Sequence, residues 1–244
     1  MRARIIMKLS RLEEKLLREK FSDDEAYNKA IERLENGETF AYVLGEWYFY
    51  DETYKVTPDC LIPRPETEHL VEWLIGNLPQ NGVFADFCTG SGCIAISTLA
   101  HRKDLTALAV DISDKALDIA RDNAVLNGVS ERISFVQADI LNDEFLGGRK
   151  FDVIVSNPPY IRSDVIDTLS VQVKNEPRIA LDGGDDGLDF YRVLFSKYTD
   201  NVKQNGAVIC EIGYDQGQAL NDLFGCRIMK DYSGNDRIAL LYVK

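Results

Sequence analysis

The sequence contains little histidine and no closely paired cysteines, and each shortage excludes a class of chemistry. Its two histidines, His69 and His101, fall in helical patterns and belong to no ligand or triad spacing. The five cysteines are scattered, without a Cys-x-x-Cys pair, so the sequence indicates neither a disulfide framework nor a zinc site. We therefore expect chemistry that requires neither histidine nor a metal ion.

Long apolar runs and clusters of basic residues are also missing. No segment approaches the roughly 20 apolar residues of a transmembrane helix, and charges interrupt the basic N-terminal stretch, which argues against a signal peptide. The formal net charge is −12, from 40 acidic and 28 basic residues, which is unfavourable for binding duplex DNA. We expect a cytoplasmic protein that binds neither DNA nor a membrane directly.

The first quarter of the chain carries the patterns of two small units. Apolar residues at helical spacing over residues 3–36 predict a helical lobe, and the spacing of Ser22 and Glu25 predicts a capping box at its second helix. Aromatic residues around an acidic turn predict a β-hairpin over 47–56, and Thr67 is predicted to cap the next helix. The chain thus divides into a helical lobe, a hairpin with its linker, and a main domain, at residues 1–40, 41–66 and 67–244.

From residue 83 onward, uniformly apolar strands alternate with helical segments. This alternation predicts an α/β fold with a doubly wound, mostly parallel sheet. One helix is predicted over the segment "GLDFYRVLFSKYTDNV". Only "YSGN" separates the last two apolar segments, so these strands are predicted to be antiparallel.

The first strand of the main domain ends in "DFCTGSG", a turn that opens the next helix. Its glycines let a ligand approach the backbone at a helix N-terminus. The turn also fits the Gly-x-Gly-x-x-Ala dinucleotide pattern, with Asp111 about where a ribose-binding acid belongs, so an NAD-dependent oxidoreductase is one alternative. Asp86 favours S-adenosylmethionine instead, because a carboxylate would repel a pyrophosphate but attract an ammonium, with Asp111 on the ribose diol.

The third strand ends at a further acidic residue. Asp139 is placed to accept a hydrogen bond from the adenine amino group, with Ile140 against the ring face. The alternative is that Asp139 caps a loop or a helix. The two interpretations of Asp139 have equal weight from the sequence.

The fourth strand ends in "SNPPYI", where two prolines cannot continue the strand because neither has an N–H. A planar amino nitrogen is a poor nucleophile, so a site that methylates it must accept its N–H bonds and exclude water. Asn157 can offer its side-chain oxygen, and Pro158 a rigid backbone carbonyl. Pro159 stiffens the next link, and Tyr160 can pack its ring on the planar group. The loop therefore predicts an amino-methyltransferase.

Five segments occur in an order typical of one enzyme family: "LIPRPETE", "DFCTGSGCIAI", "VSNPPYI", "EPRIALDGGDDGLDFYR" and "EIGYDQG". From about Phe40 to the C-terminus the chain resembles the release-factor glutamine methyltransferases, the HemK or PrmC family. The resemblance implies a Rossmann-like fold, S-adenosylmethionine as methyl donor and S-adenosylhomocysteine as product. It also implies methylation of the side-chain nitrogen of the glutamine in the Gly-Gly-Gln motif of class 1 peptide chain release factors, as part of translation termination.

Carried over by position, the resemblance also implies roles for individual residues. The expected catalytic residues are Asn157, Pro158 and Tyr160, and with Pro159 they are expected to hold the substrate glutamine. Cofactor contacts are expected at Asp86, Cys88, Thr89, Gly90, Ser91, Gly92, Asp111, Ile112, Asp139, Ile140 and Asn157.

The sequence departs from the family pattern in two places, and the role of one further segment has two interpretations. Cys88 stands where many relatives have a glycine, so the loop is expected to need an ordinary φ there. Only about forty residues precede "FAYVLGEWYFY", where relatives usually have a longer helical lobe. Glu176 and Pro177 are interpreted either as a rim near the substrate or as part of a long loop with a helix cap at Asp185 or Asp186.

A nucleic-acid amino-methyltransferase acting on adenine N6 or guanine N2 is the alternative function. Such an enzyme would need base flipping and a basic groove or a separate recognition domain. The acidic composition indicates neither. The sequence therefore favours a protein substrate.

Overall fold

The N-terminal part of the structure is a helical lobe. The computed structural model describes residues 9–244, so the predicted helical residues 3–8 lie outside it. The lobe consists of α1 (Arg11–Lys20), α2 (Asp24–Glu35) and α3 (Phe40–Leu44).

The caps of the first two helices differ from the prediction. The capping box is at α1, where the Glu13 N–H donates to Ser10 Oγ at 3.2 Å and the Ser10 N–H donates to the Glu13 carboxylate at 2.7 Å. The predicted cap at Ser22 is wrong, because Asp23 accepts the Ala26 N–H of α2 at 2.8 Å. An aspartate adds a negative charge at the positive end of the helix dipole, which a serine cannot do.

The predicted hairpin is present as β1 (Glu46–Phe49) and β2 (Glu52–Lys55), which pair antiparallel. Phe49 and Tyr54 are buried in the core of the main domain. The Tyr54 hydroxyl shares a 2.6 Å hydrogen bond with Ser97 Oγ. The hairpin is thus packed directly on the helices that flank the sheet.

A seven-stranded sheet forms the centre of the main domain. Its strands are β3 (Val83–Phe87), β4 (Thr106–Asp111), β5 (Ile133–Gln137), β6 (Phe151–Ser156), β7 (Val202–Glu211), β8 (Arg227–Lys230) and β9 (Asp236–Tyr242). The order across the sheet is β5-β4-β3-β6-β7-β9-β8, and β9 is antiparallel to both of its neighbours while β3 to β7 are parallel. The predicted doubly wound sheet with an antiparallel last strand is confirmed.

Helices cover both faces of this sheet, and each face has its own apolar core. They are α4 (Glu68–Asn77), α5 (Cys93–His101), α6 (Asp114–Leu126), α8 (Asp189–Leu194) and α9 (Gly217–Phe224). The short α7 (Val171–Lys174) lies between β6 and β7 in the chain and has no buried residue. The prediction of one continuous helix after "GLDFY" is wrong, because α8 ends at Leu194 and a 3₁₀ turn follows over Lys197–Asn201. The Ser196 hydroxyl donates to the Arg192 carbonyl, an alternative to helical bonding that serine often provides.

The strand order places a switch point between β3 and β6, from which the chain winds in opposite directions. The Ser156 hydroxyl at the end of β6 donates to the Phe87 carbonyl at the end of β3, at 2.7 Å. In doubly wound sheets a ligand crevice lies outside the carboxyl ends of such strands. Within residues 9–244, every helix is too short or too polar to cross a membrane.

Candidate active site

The loop after β3 reverses the chain through positive φ angles. Cys88, Gly90 and Gly92 have φ angles of 58°, 56° and 83°, so the expectation of an ordinary φ at Cys88 is wrong. The reversal brings the Thr89 N–H to the Val110 carbonyl at 3.0 Å. The tertiary structure thereby holds Cys88 in a left-handed conformation that costs a residue with a Cβ about 1–2 kcal/mol. At Gly92 a side chain would be strained by the positive φ, and its Cβ would also lie 3.2 Å from the Ala120 Cβ of α6, so this position favours glycine.

Asp86 is fully buried beneath this loop. Its Oδ2 accepts hydrogen bonds from the Thr89 hydroxyl at 2.6 Å and from the Ala95 N–H at 3.3 Å. Its Oδ1 has no hydrogen-bond partner within the described part of the chain. Burial raises the pKa of Asp86 to about 7, although the two hydrogen bonds oppose this shift. Asp86 braces the loop from below, and its contact with an ammonium stays a prediction.

Replacing Asp86 with asparagine should change how stability depends on pH. The folded pKa lies above the ordinary value of 3.8, so protonation of Asp86 stabilises the fold fully at acidic pH, and this contribution is lost as the pH rises through about 7. Between about pH 5 and 8 the parent should lose on the order of 2–3 kcal/mol of unfolding free energy relative to Asp86→Asn. Urea unfolding across this range measures the difference, with exposed Glu35→Gln as the control. A parent–variant difference that is independent of pH would contradict a buried ionisable carboxyl.

Asp111 ends β4 on the cavity that the loop borders. Its Oδ2 accepts the Gly90 N–H and its Oδ1 the Ser113 N–H, both at 2.9 Å. Burial raises the pKa of Asp111, and these backbone hydrogen bonds oppose the shift. Each carboxylate oxygen can accept a second hydrogen bond. Ile112, 43% exposed, lies on the same cavity, which therefore offers polar acceptors beside an apolar surface.

Asp139 both caps its loop and lines the cavity. Its Oδ1 accepts the Leu141 N–H at 2.9 Å, and its Oδ2 accepts the Asn142 side-chain amide at 2.8 Å. The loop-capping interpretation is therefore confirmed, and binding of an adenine amino group stays a prediction. Buried Ile140 lies on the same cavity wall.

The first cavity encloses about 880 Å³, its open mouth included. Its acidic lining residues are Asp59, Asp111 and Asp139, and none of the described residues that line it is Lys or Arg. Such a lining suits a cationic ligand with a diol better than a pyrophosphate. The predicted cofactor residues on this cavity are Cys88, Gly90, Asp111, Ile112, Asp139, Ile140 and Asn157. Those that lie behind it are Asp86, Thr89, Ser91 and Gly92.

Asn157 lies on the wall between this cavity and a second one of about 610 Å³. Pro158 and Tyr160 line the second cavity, whereas Pro159 lines the first. The loop after β6 thus separates two adjoining spaces. A small molecule in one cavity and a side chain in the other would meet at Asn157.

Thr67 and Glu211, which sequence reasoning did not assign to the site, lie behind Asn157. Thr67 is the N-cap residue of α4, as predicted, but its hydroxyl makes no capping bond and instead donates to Glu211 Oε2 at 2.5 Å. Asn157 Nδ2 donates to Thr67 Oγ1 at 3.0 Å, and the Tyr160 hydroxyl donates to Glu211 Oε1 at 3.3 Å. Burial raises the pKa of Glu211 to about 7, although Thr67, Arg237 and Tyr160 oppose the shift.

The glycine-rich segment after residue 181 packs against the backbone that follows the two prolines. A Cβ at Gly183 would lie 2.7 Å from Tyr160 Cα. The Ile161 N–H donates to the Leu181 carbonyl at 2.9 Å, and the Gly183 N–H donates to the Ile161 carbonyl at 2.8 Å. Glycine is therefore needed at residue 183 to keep this segment against the loop.

The Glu176–Pro177 segment borders the first cavity directly and the second one through Arg64. Buried Glu176 accepts the Ile62 N–H at 3.2 Å and forms an ion pair with Arg64. Pro177 lines the first cavity and Arg64 the second. The interpretation of a rim is thus supported, and Asp186 additionally makes a local backbone hydrogen bond just before α8. Within residues 9–244, no group of three or more His, Cys, Asp or Glu side chains could hold a metal ion.

Comparisons with known proteins agree with this geometry. The methyltransferase small domain model matches residues 66–174. The release factor glutamine methyltransferase of Neisseria gonorrhoeae is 39% identical over 219 residues, which cover 87% of this chain and 80% of that protein. The release factor glutamine methyltransferase of Moorella thermoacetica is 40% identical over 223 residues, covering 88% and 78%. Among solved structures, the hMettl16 catalytic domain in complex with a 3'UTR hairpin has a TM-score of 0.60 at 16% identity, covering 78% of this chain and 75% of that one, a likeness of fold alone.

Proposed function

Because the chain belongs to the release factor glutamine methyltransferase family, we propose that it methylates the glutamine of the Gly-Gly-Gln motif in peptide chain release factors. The methyl group passes from S-adenosylmethionine to the side-chain amide nitrogen of that glutamine. The observation that carries this proposal is the position of Asn157 on the wall shared by two cavities. One cavity suits the cofactor, and the other suits an inserted side chain.

The first cavity fits S-adenosylmethionine in charge and in polarity. Asp111 would accept the ribose hydroxyls, and Asp139 would accept the adenine amino group. Ile112 and Ile140 give the flat ring an apolar surface on the same cavity. When bound, the cofactor supplies a methyl group activated by a positively charged sulfur.

The second cavity supplies the groups that a planar amide needs. Asn157 Nδ2 is bonded to Thr67, which leaves Asn157 Oδ1 to accept one N–H of the substrate glutamine. The Pro158 carbonyl would accept the other N–H, and the ring of Tyr160 would pack on the amide plane. Two accepted N–H bonds hold the nitrogen in position and exclude water, without a general base of its own.

Replacing Asp111 with alanine should weaken S-adenosylmethionine binding without unfolding the protein. A charge-assisted, bidentate bond to the ribose diol is lost, which should cost on the order of 1.5–3 kcal/mol, or about 10- to 150-fold in Kd. Calorimetric titration with S-adenosylmethionine measures the loss of affinity. A thermal melt shows whether the variant stays folded after losing the two hydrogen bonds that Asp111 accepts from backbone N–H groups. Unchanged affinity in a folded variant would remove Asp111 from the cofactor site.

The proposed function is tested by label transfer from S-adenosylmethionine. A class 1 release factor and duplex DNA are offered in parallel at equal cofactor concentration. Transfer to the release factor and none to DNA is expected. Label on DNA with none on the release factor would favour a nucleic-acid amino-methyltransferase instead.

The protein's surroundings follow from the same proposal. We propose a cytoplasmic location and class 1 release factors as partners, without direct binding to DNA or to a membrane. The net charge of −12 supports this, since it opposes approach to a polyanion. We further propose that residues 1–40, 41–66 and 67–244 act as lobe, hairpin with linker, and catalytic domain.

A further inference from the structure

A buried chain of hydrogen bonds extends from Asn157 into the protein. It begins at Asn157 Nδ2, passes through Thr67 Oγ1 at 3.0 Å, and ends at Glu211 Oε2 at 2.5 Å. Thr67 and Glu211 are each only 2% exposed. Their contact joins residues that are 144 positions apart in the chain. This series of hydrogen bonds therefore depends on the complete fold of the main domain.

The direction of these hydrogen bonds follows from the chemistry of their ends. An ionised carboxylate can only accept, so the Thr67 hydroxyl must donate its one proton to Glu211. The Thr67 oxygen can then only accept, so it must face the NH₂ group of Asn157 and not its oxygen. Because the two ends of an amide are nearly equal in shape, packing alone would not distinguish them.

We propose that Thr67 and Glu211 are positioning residues that fix which end of the Asn157 amide meets the substrate. The proposal rests on the proposed function, since its consequence is an Asn157 Oδ1 that is ready to accept a substrate N–H. A reversed amide would present an NH₂ group to the NH₂ of the substrate, and two donors repel. Orientation before substrate binding removes a reorganisation cost from the reaction.

The same carboxylate also holds the other polar side chain of the loop. The Tyr160 hydroxyl donates to Glu211 Oε1 at 3.3 Å. The charged groups that act on Glu211 are Arg237, which favours its ionised form, and Glu66, which opposes it. Arg64 lines the same cavity, but its guanidinium is paired with Glu176. Glu211 thus links both polar side chains of the Asn-Pro-Pro-Tyr loop to one acceptor.

Protonation of Glu211 would reverse the direction of the hydrogen bonds between Asn157, Thr67 and Glu211. A protonated acid can donate to Thr67, whose hydroxyl could then donate to Asn157 and turn the amide. Burial raises the pKa of Glu211 in the free enzyme to about 7, so kcat/KM should decrease as the pH falls below about 7. In Glu211→Gln this acid limb should be absent.

The kinetic test compares two substitutions at one position. Thr67→Ser keeps the hydroxyl and Thr67→Val removes it without changing the shape. We expect Thr67→Val to lower kcat about tenfold, as for one lost preorganised hydrogen bond, with S-adenosylmethionine affinity unchanged. Thr67→Ser should stay within about twofold of the parent. Equal losses in both variants, or full kcat in Thr67→Val, would overturn the proposal.

A second measurement needs no substrate and separates this proposal from the proposed function. Nitrogen-15 labelling of asparagine in the free enzyme follows the Asn157 side-chain amide, identified by its absence in Asn157→Ala. Its signals should shift with a midpoint near pH 7 in the parent and not in Glu211→Gln. Asn157 amide signals that are the same in the parent, in Thr67→Val and in Glu211→Gln would overturn the positioning chain, even if release factor methylation were confirmed. A parent that shows the shift but does not methylate a release factor would overturn only the proposed function.

Discussion

Methyl transfer should fall by about a hundredfold or more when Asn157 is replaced by alanine, which is the size of effect seen when one preorganised polar contact to a transition state is removed. The variant loses the side-chain oxygen that would accept a substrate N–H, while Pro158 still offers its carbonyl. Initial rates at saturating S-adenosylmethionine measure this effect. Asn201→Ala, in the 3₁₀ turn that directly precedes β7 and therefore at the amino end of the parallel strands, is the matched control and should keep the parent rate.

Asn157→Asp should also be poor, although a carboxylate can accept a hydrogen bond. Its negative charge beside a sulfonium would stabilise the reactant cation more than the transition state, in which that charge is dispersed. In addition, a carboxylate cannot donate to the Thr67 oxygen, so the buried chain to Glu211 would lose its first member. Turnover of Asn157→Asp equal to that of the parent would refute this account of the site's polarity.

The second large effect concerns the substrate. A release factor whose Gly-Gly-Gln glutamine is replaced by glutamate should accept no methyl label above roughly 10⁻⁴ of the normal rate. The glutamate lacks the N–H donors, so Asn157 Oδ1 and the Pro158 carbonyl would face a carboxylate with nothing to accept. Buried Glu211 lines the same cavity and adds like charge.

Competition separates poor binding from the simple absence of a nitrogen to methylate. A peptide with Gly-Gly-Glu should not inhibit methylation of the normal factor at concentrations where a Gly-Gly-Gln peptide does. DNA containing adenine should accept no label, because base flipping adds a few kcal/mol and the protein is acidic. Strong inhibition by the glutamate peptide would show that the second cavity does not select for N–H donors.

Much of the fold could be predicted because its signals are local. Each parallel strand is a short apolar run, such as Phe151–Ser156. After β3 and β4 the next helix begins within a few residues, so the alternation of strand and helix is visible in the sequence. The order of polar ends along the chain also placed Asp111, Asp139 and Asn157 on one cavity, since parallel strands end at the same edge of a sheet.

The positions that sequence reasoning missed depend on distant partners. Thr67 stands where a helix cap is expected, and only the fold reveals that its hydroxyl bonds to Glu211. The left-handed backbone at Cys88 is imposed by the turn toward β4 and not by its own preference. Asp86, for which contact with an ammonium stays a prediction, is buried beneath the loop because β3 is an interior strand with a neighbour on each side. "PETE" and "EIGYDQG" carried the signal for Thr67 and Glu211, without showing that the two segments meet.

The place of β9 between β7 and β8 has a consequence for biosynthesis. Glu211 ends β7, whose outer edge pairs with β9, with Glu211 opposite Ile238. The ribosome must therefore add roughly 25–30 further residues, about 1–6 s of synthesis, before that edge can be completed. The buried carboxylate behind Asn157 thus gains the strand on its outer side only near the end of synthesis, although its partners Thr67 and Tyr160 precede it in the chain. A nascent chain halted before residue 236 would expose an apolar, unpaired strand edge, the kind of surface through which chains associate.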